Sequence, residues 1–233
     1  MKASRYLSME ARSLPLWAAL LPLVTFNLCY VVAIALDHLP VCVPYLSGCT
    51  SASSTGRLPP ESWLFKAGML PLVVVVPLVW WRCAAVLERA GQSRWRMSVL
   101  RSLGVATALS LLLYILTLGV AGSEFRGIRR LGIDGFALSN FIAQLIFVWS
   151  FRRLRTDRNR ALWQWLAAIC ILLPALAIAA ELAKWLGAPR HPVNNVVAWN
   201  ALLVQSLWFA VLARLLPDQS DSRSSGRAAS PRR

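Results

Sequence analysis

Residues 162–186 read LWQWLAAICILLPALAIAAELAKWL, and from Leu162 to Ala180 no side chain carries a charge. A helix rises about 1.5 Å per residue, so about 20 such residues cross the roughly 30 Å hydrocarbon core of a bilayer. Five more stretches qualify, at about 14–36, 63–81, 102–121, 135–151 and 196–216. None alternates in polarity every second residue over about ten positions, as a membrane barrel strand would. The expected fold is therefore all-α, a polytopic membrane protein with a six-helix bundle over residues 1–216 and a disordered basic tail over 217–233.

Composition agrees. Of the 233 residues, 57% are hydrophobic and 15% charged, against about 25% charged in soluble domains. The net charge of +15 would suit nucleic acid if the charges shared one surface, but they lie in short runs between spans. Eighteen Lys and Arg fall on the side that holds both termini and seven on the other. The excess marks a cytoplasmic face, so both termini are expected inside the cell and no nucleic-acid partner is expected. The first apolar run follows Lys2, Arg5 and Arg12 and contains Ala33, Ile34 and Ala35 in a pattern like a signal-peptidase site. It is longer than a secretory leader needs and is read as a span.

Trp63, Trp80, Trp81, Trp149, Trp163, Trp185 and Trp199 fall near predicted span ends, where indole favours the head-group boundary. Pro71, Pro77 and Pro174 lie within spans and are expected to kink them.

The outer side of this topology carries both histidines, His38 and His191, and most polar groups within spans. A charge at the centre of a bilayer helix costs about 2.5 to 3.5 kcal/mol on insertion scales, so such groups face a bundle interior or a wet cavity. Arg57, Glu61, Lys66, Arg126, Asn140, Glu181, Lys184 and Asn200 are therefore candidates for an outward-open polar pocket that binds membrane lipid. Glu181 and Lys184 share a helix face; they are either a self-neutralising pair whose lysine reaches the interface or part of that pocket. Asn140 with Gln144, and Asn200, read equally as glue between helices.

His38, Glu61 and His191 are the catalytic candidates, since imidazole beside a carboxylate can act as a general base. Solvated loop histidines and a carboxylate at a helix N-terminus explain the same residues without catalysis. No nucleophile elbow, HExxH pair or phosphate-binding Gly-Lys-Ser/Thr loop occurs. No cofactor or metal is expected. Cys29, Cys83 and Cys170 lie in or beside spans, whereas Cys42 and Cys49 share the first outer loop. That pair fits a disulfide; a zinc site with His38 and His191 is the alternative, at a spacing that matches no strong motif.

The same loop reads Pro44-Tyr45-Leu46-Ser47, then Gly56, then Pro59-Pro60-Glu61 and Phe65. This series resembles the Frag/DRAM/Sfk family of six-helix membrane proteins, whose first outer loop carries Pro-Tyr-Ile-Ser, Gly, Pro-Glu and Phe. Ser47, Gly56, Pro60, Glu61 and Phe65 match by position. Residues 49–53 are an insertion, and Asp134 stands where many members have histidine. The resemblance implies six helices, inward termini and a role in lipid handling, since members act in lipid remodelling, autophagy and lipid asymmetry. Twenty-two Arg against three Lys hint at a GC-rich bacterial genome and hence an inner membrane, where GPI anchors are absent. Three readings follow: handling of a lipid or lipid-linked molecule at the outer leaflet; a scaffold or regulator that meets a membrane-protein partner through its outer loops; and an ion-coupled transporter.

Overall fold

The computed structural model describes residues 2–120, 122 and 124–216, with side chains from Ser13 onward. The tail expected at 217–233 lies outside the described residues. The described chain is helical with no strand: α1 (Lys2–Ala35), α2 (Pro44–Ser47), α3 (Glu61–Arg89), α4 (Arg94–Thr117), α5 (Glu124–Phe151), α6 (Asp157–Trp185) and α7 (Arg190–Leu215). Short 3-10 turns occupy Ala52–Gly56 and Arg152–Leu154. All except α2 are long and apolar enough to cross a membrane, so this is a multi-pass membrane protein with an all-α six-helix bundle. Six crossings return the chain to its starting side. We call that side the near end and the other the far end.

Most helices outrun the apolar stretches that announce them. Helix α5 starts at Glu124 rather than at residue 135, because a helix needs no apolar side chains once it leaves hydrocarbon. Helix α6 starts at Asp157, where Thr156 and Asn159 form a reciprocal capping box that satisfies orphan N–H groups of the first turn. Pro15 and Pro22 lie inside α1, Pro71 and Pro77 inside α3 and Pro174 inside α6, and each helix continues through them. Neighbouring helices and side chains can satisfy carbonyls that proline frees.

Close approach between helices rests on small residues, as expected where lipid removes the hydrophobic drive for association. A Cβ on Gly132 of α5 would stand 2.8 Å from the Tyr114 nitrogen and 3.0 Å from the Ser110 oxygen of α4. Hydroxyls join the same two helices, with Thr107 Oγ1 and Ser139 Oγ 2.9 Å apart. Trp80, Trp208, Phe209 and Phe147 interlock in the core by tilted and edge-to-face contacts.

Two of the seven tryptophans expected at the head-group boundary are core residues instead: Trp80 and Trp199 are fully buried. Each has a partner for its indole N–H, Trp80 donating to Asn140 Oδ1 at 3.0 Å and Trp199 to the Thr50 carbonyl at 3.1 Å. A satisfied N–H removes the reason for indole to stay near water.

Helix α6 pairs with α7 but touches α5 sparingly. Trp163 Nε1 donates to the Val148 carbonyl at 2.9 Å, toward the near end. Beyond Cys170, toward the far end, Ala180 is the one buried residue of α6.

Candidate functional site

A cavity of about 1060 Å³ runs into the bundle from the far end. Helix α5 builds its longest wall, presenting Arg126, Arg129, Arg130, Ile133, Ala137, Asn140 and Phe141. These recur at three- and four-residue intervals and so form one helix face. From Arg126 to Asn140 is fourteen residues, about 21 Å along the axis. The wall changes character on the way: guanidiniums at the mouth, apolar groups below.

The opposite walls repeat that gradient. The first loop contributes Ser51, Ser53 and Arg57 at the mouth, and lower down lie Met69, Leu72 and Val76 of α3, with Leu202 and Phe209 of α7. Asn140 and Gln205 add polar atoms at depth; the Gln205 Nε2 is buried without a hydrogen-bond partner. Leu173 and Pro174 of α6 close one side.

Two arginines are held in place. Arg129 donates toward the Thr117 and Val120 carbonyls at 3.3 and 3.5 Å, at the C-terminal end of α4 where helix carbonyls lack partners and favour a cation. Arg57 donates to Ser53 Oγ at 3.4 Å. Arg130 lies 3.5 Å from Asp134, one turn on, with both side chains exposed.

The loop over this mouth is tied to α1 and α7. Cys42 and Cys49 are disulfide-bonded. The Tyr30 hydroxyl accepts from the Cys42 N–H at 3.1 Å and contacts the Cys42 and Pro40 carbonyls at 2.9 and 3.0 Å. Asn195 donates to the Gly48 carbonyl and Asn200 to the Tyr45 carbonyl, each at 2.8 Å. Gly48 has φ +61, and a Cβ there would stand 2.1 Å from the Pro192 oxygen. Tyr45 and Asn27 exchange hydrogen bonds at 2.8 and 3.0 Å. Burial pushes the Tyr45 phenol above its ordinary value, and the bond to Asn27 opposes this.

Of the residues expected in one outward pocket, the structure gathers Arg57, Arg126 and Asn140 in the cavity wall, and the others lie elsewhere. Glu181 and Lys184 pair with each other, and the lysine also donates to Asn194 Oδ1 at 3.1 Å. The cavity meets α6 only at Leu173 and Pro174, about two turns from Glu181, so this pair staples α6 to α7. Asn200 holds the loop. Lys66 is half-buried and outside the lining; on α3 the cavity begins at Met69, and Phe65 packs against Phe26 and Tyr114 above it.

Glu61 is 1% exposed and lies outside the cavity wall. Its Oε1 is 2.6 Å from His38 Nδ1, while Oε2 is buried without a partner. With the Nδ1 proton donated to the carboxylate, Nε2 of His38 is an acceptor, the arrangement of an oriented general base. His191 is exposed on α7, apart from this pair. Among the described residues no three His, Cys, Asp or Glu side chains gather closely enough to hold a metal ion, and Cys42 and Cys49 take each other as partners in place of zinc.

Sequence reasoning missed Arg129 and Arg130 as wall residues. Their spacing from Arg126 was the available signal, hidden because the apolar run of α5 begins only at Gly135. Compared with known proteins, the chain matches no family, no curated protein and no solved structure.

Proposed function

We propose that this protein holds a lipid or lipid-linked molecule in the far-end cavity, with an anionic head group among Arg57, Arg126, Arg129 and Arg130 and chains along the apolar wall below. One observation carries the reading: a single cavity joins a cationic mouth to an apolar body, the two together extending about 21 Å along α5 from Arg126 to Asn140. On α5 the apolar part of the wall, from Ile133 to Phe141, spans eight residues, about 12 Å, within the roughly 15 Å that one leaflet of a roughly 30 Å core provides. The Lys and Arg imbalance supports cytoplasmic termini in a cell membrane, which makes the mouth outer-facing. Membership of the Frag/DRAM/Sfk family, in a bacterial inner-membrane member, fits the loop series and is part of the proposal.

The test is to purify the protein in mild detergent, extract it with organic solvent and quantify the lipid it retains. Retained lipid near one molecule per chain, lost in an Arg57→Gln/Arg126→Gln variant that stays folded, supports the reading. Retention that ignores these substitutions rejects it.

A second reading has its own observation. Val41, Val43 and Leu46 of the first loop are strongly exposed, an apolar rim that a membrane-protein partner would cover. Crosslinking from Leu46 in intact membranes tests it, and a single protein adduct would favour the scaffold or regulator reading.

A further inference from the structure

Resting on the lipid reading above, we infer that the cavity selects lipids ending in a phosphomonoester or diphosphate, and discriminates against zwitterionic phospholipids. The argument is one of charge and placement. Among the described residues four guanidiniums line the mouth, and Asp134 is the one carboxylate in the lining. Arg130 already faces that carboxylate at 3.5 Å, so three positive charges are left for a ligand.

A phosphodiester brings one negative charge, and a zwitterionic head group cancels even that with its own cation. The ammonium of such a head group would meet four arginines and find its only carboxylate engaged. A phosphomonoester brings about 1.5 to 2 negative charges and three strong acceptor oxygens. A diphosphate brings more of each.

Placement agrees. Arg126, Arg129 and Arg130 project from one face of α5, while Arg57 comes from the loop across the mouth. A terminal phosphate there is approached from two sides, the geometry in which planar guanidiniums give paired charge-assisted bonds. The contacts of Arg129 to Thr117 and Val120 and of Arg57 to Ser53 restrict both side chains before a ligand arrives, so less freedom is lost on binding. Ser51 and Ser53 add hydroxyls in the same wall.

The experiment is native mass spectrometry of the full chain with equimolar phosphatidic acid, phosphatidylglycerol and phosphatidylcholine of identical chains. Separate titrations use a long-chain prenyl diphosphate and inorganic pyrophosphate. Phosphatidic acid and the prenyl diphosphate should be retained about tenfold or more over the two phosphodiesters. In Arg126→Gln/Arg129→Gln that preference should fall to near parity, while Arg214→Gln at the near end should keep it. Thermal unfolding of each variant establishes that it is folded. Equal retention of phosphatidic acid and phosphatidylglycerol, both lost in the double variant, overturns the head-group inference and leaves the lipid reading standing. Pyrophosphate that binds as tightly as the prenyl diphosphate means a free phosphate is the ligand, which overturns both. Absence of any retained lipid from folded protein also overturns both.

Discussion

His38 Nδ1 lies 2.6 Å from Glu61 Oε1, joining the segment after α1 to the first turn of α3 across twenty-three positions of sequence. The carboxylate is almost fully buried, whereas the imidazole side chain is 31% exposed. This is therefore a buried acid whose carboxylate has one hydrogen-bond partner among the described residues, and that partner reaches toward water. A buried group that loses its partner is left with its desolvation penalty uncompensated, about 1–3 kcal/mol and more when charged.

His38→Ala should accordingly destabilise the bundle by about 1–3 kcal/mol, and Glu61→Gln should soften the loss when combined with it, since the neutral amide is cheaper to bury. A double-mutant cycle on unfolding in detergent measures the coupling. Because the pair lies outside the cavity wall, lipid retained per folded molecule should not change in His38→Ala. A fall in retention by folded protein would make the pair part of the site.

The loop clamp makes a sharper prediction at glycine. Gly48 and Gly91 both have positive φ, +61 and +78, yet a Cβ at Gly48 would collide with Pro192 and one at Gly91 would meet nothing within 4 Å. Gly91→Ala should cost only the left-handed backbone penalty, about 1–2 kcal/mol. Gly48→Ala should cost clearly more, because the loop must also leave α7. Melting temperatures of the two variants, compared side by side, check the difference.

Reduction of Cys42–Cys49 should destabilise the loop by about 2.5 kcal/mol on the loop-entropy expression for an eight-residue ring. Intact, non-reduced protein should resist thiol labelling under native conditions, since Cys29, Cys83 and Cys170 are buried. Denaturation should expose those three, and reduction the remaining two. Labelling of five thiols in denatured, unreduced protein would contradict the bond.

Tyr45 predicts an alkaline limb. Its phenol is held above the ordinary value by burial, so folding favours the protonated form. That contribution is fully present below the unfolded value of about 10 and fades as pH rises through the higher folded value. Stability measured from pH 9 upward should therefore fall, and Tyr45→Phe should flatten that part of the fall.

The six spans were legible because uncharged runs such as Leu162–Ala180 have few other uses. The disulfide was legible because Cys42 and Cys49 alone lie outside the spans on one side. The mouth of the cavity was not, because Arg126, Arg129, Arg130 and Asp134 interrupt the apolar signal of a helix that in fact continues through them. Partner choice was hidden too. Nothing local distinguishes Glu61, whose partner lies twenty-three residues away, from Glu181, whose partner lies three away. Trp80 and Trp199 misled for a related reason: indole suits a membrane boundary and a core with a hydrogen-bond acceptor equally well.

The sparse contact between α5 and α6 beyond Trp163 bears on what concentration means for this protein. On the lipid reading proposed above, a ligand that slips between these helices arrives from hydrocarbon and never crosses water, so its supply is set by its mole fraction in the surrounding leaflet. Diluting the aqueous phase would leave occupancy unchanged, while adding inert lipid would lower it. Affinity for a bilayer-borne ligand is then a two-dimensional quantity, and the composition of the membrane becomes the dial that fills or empties the cavity.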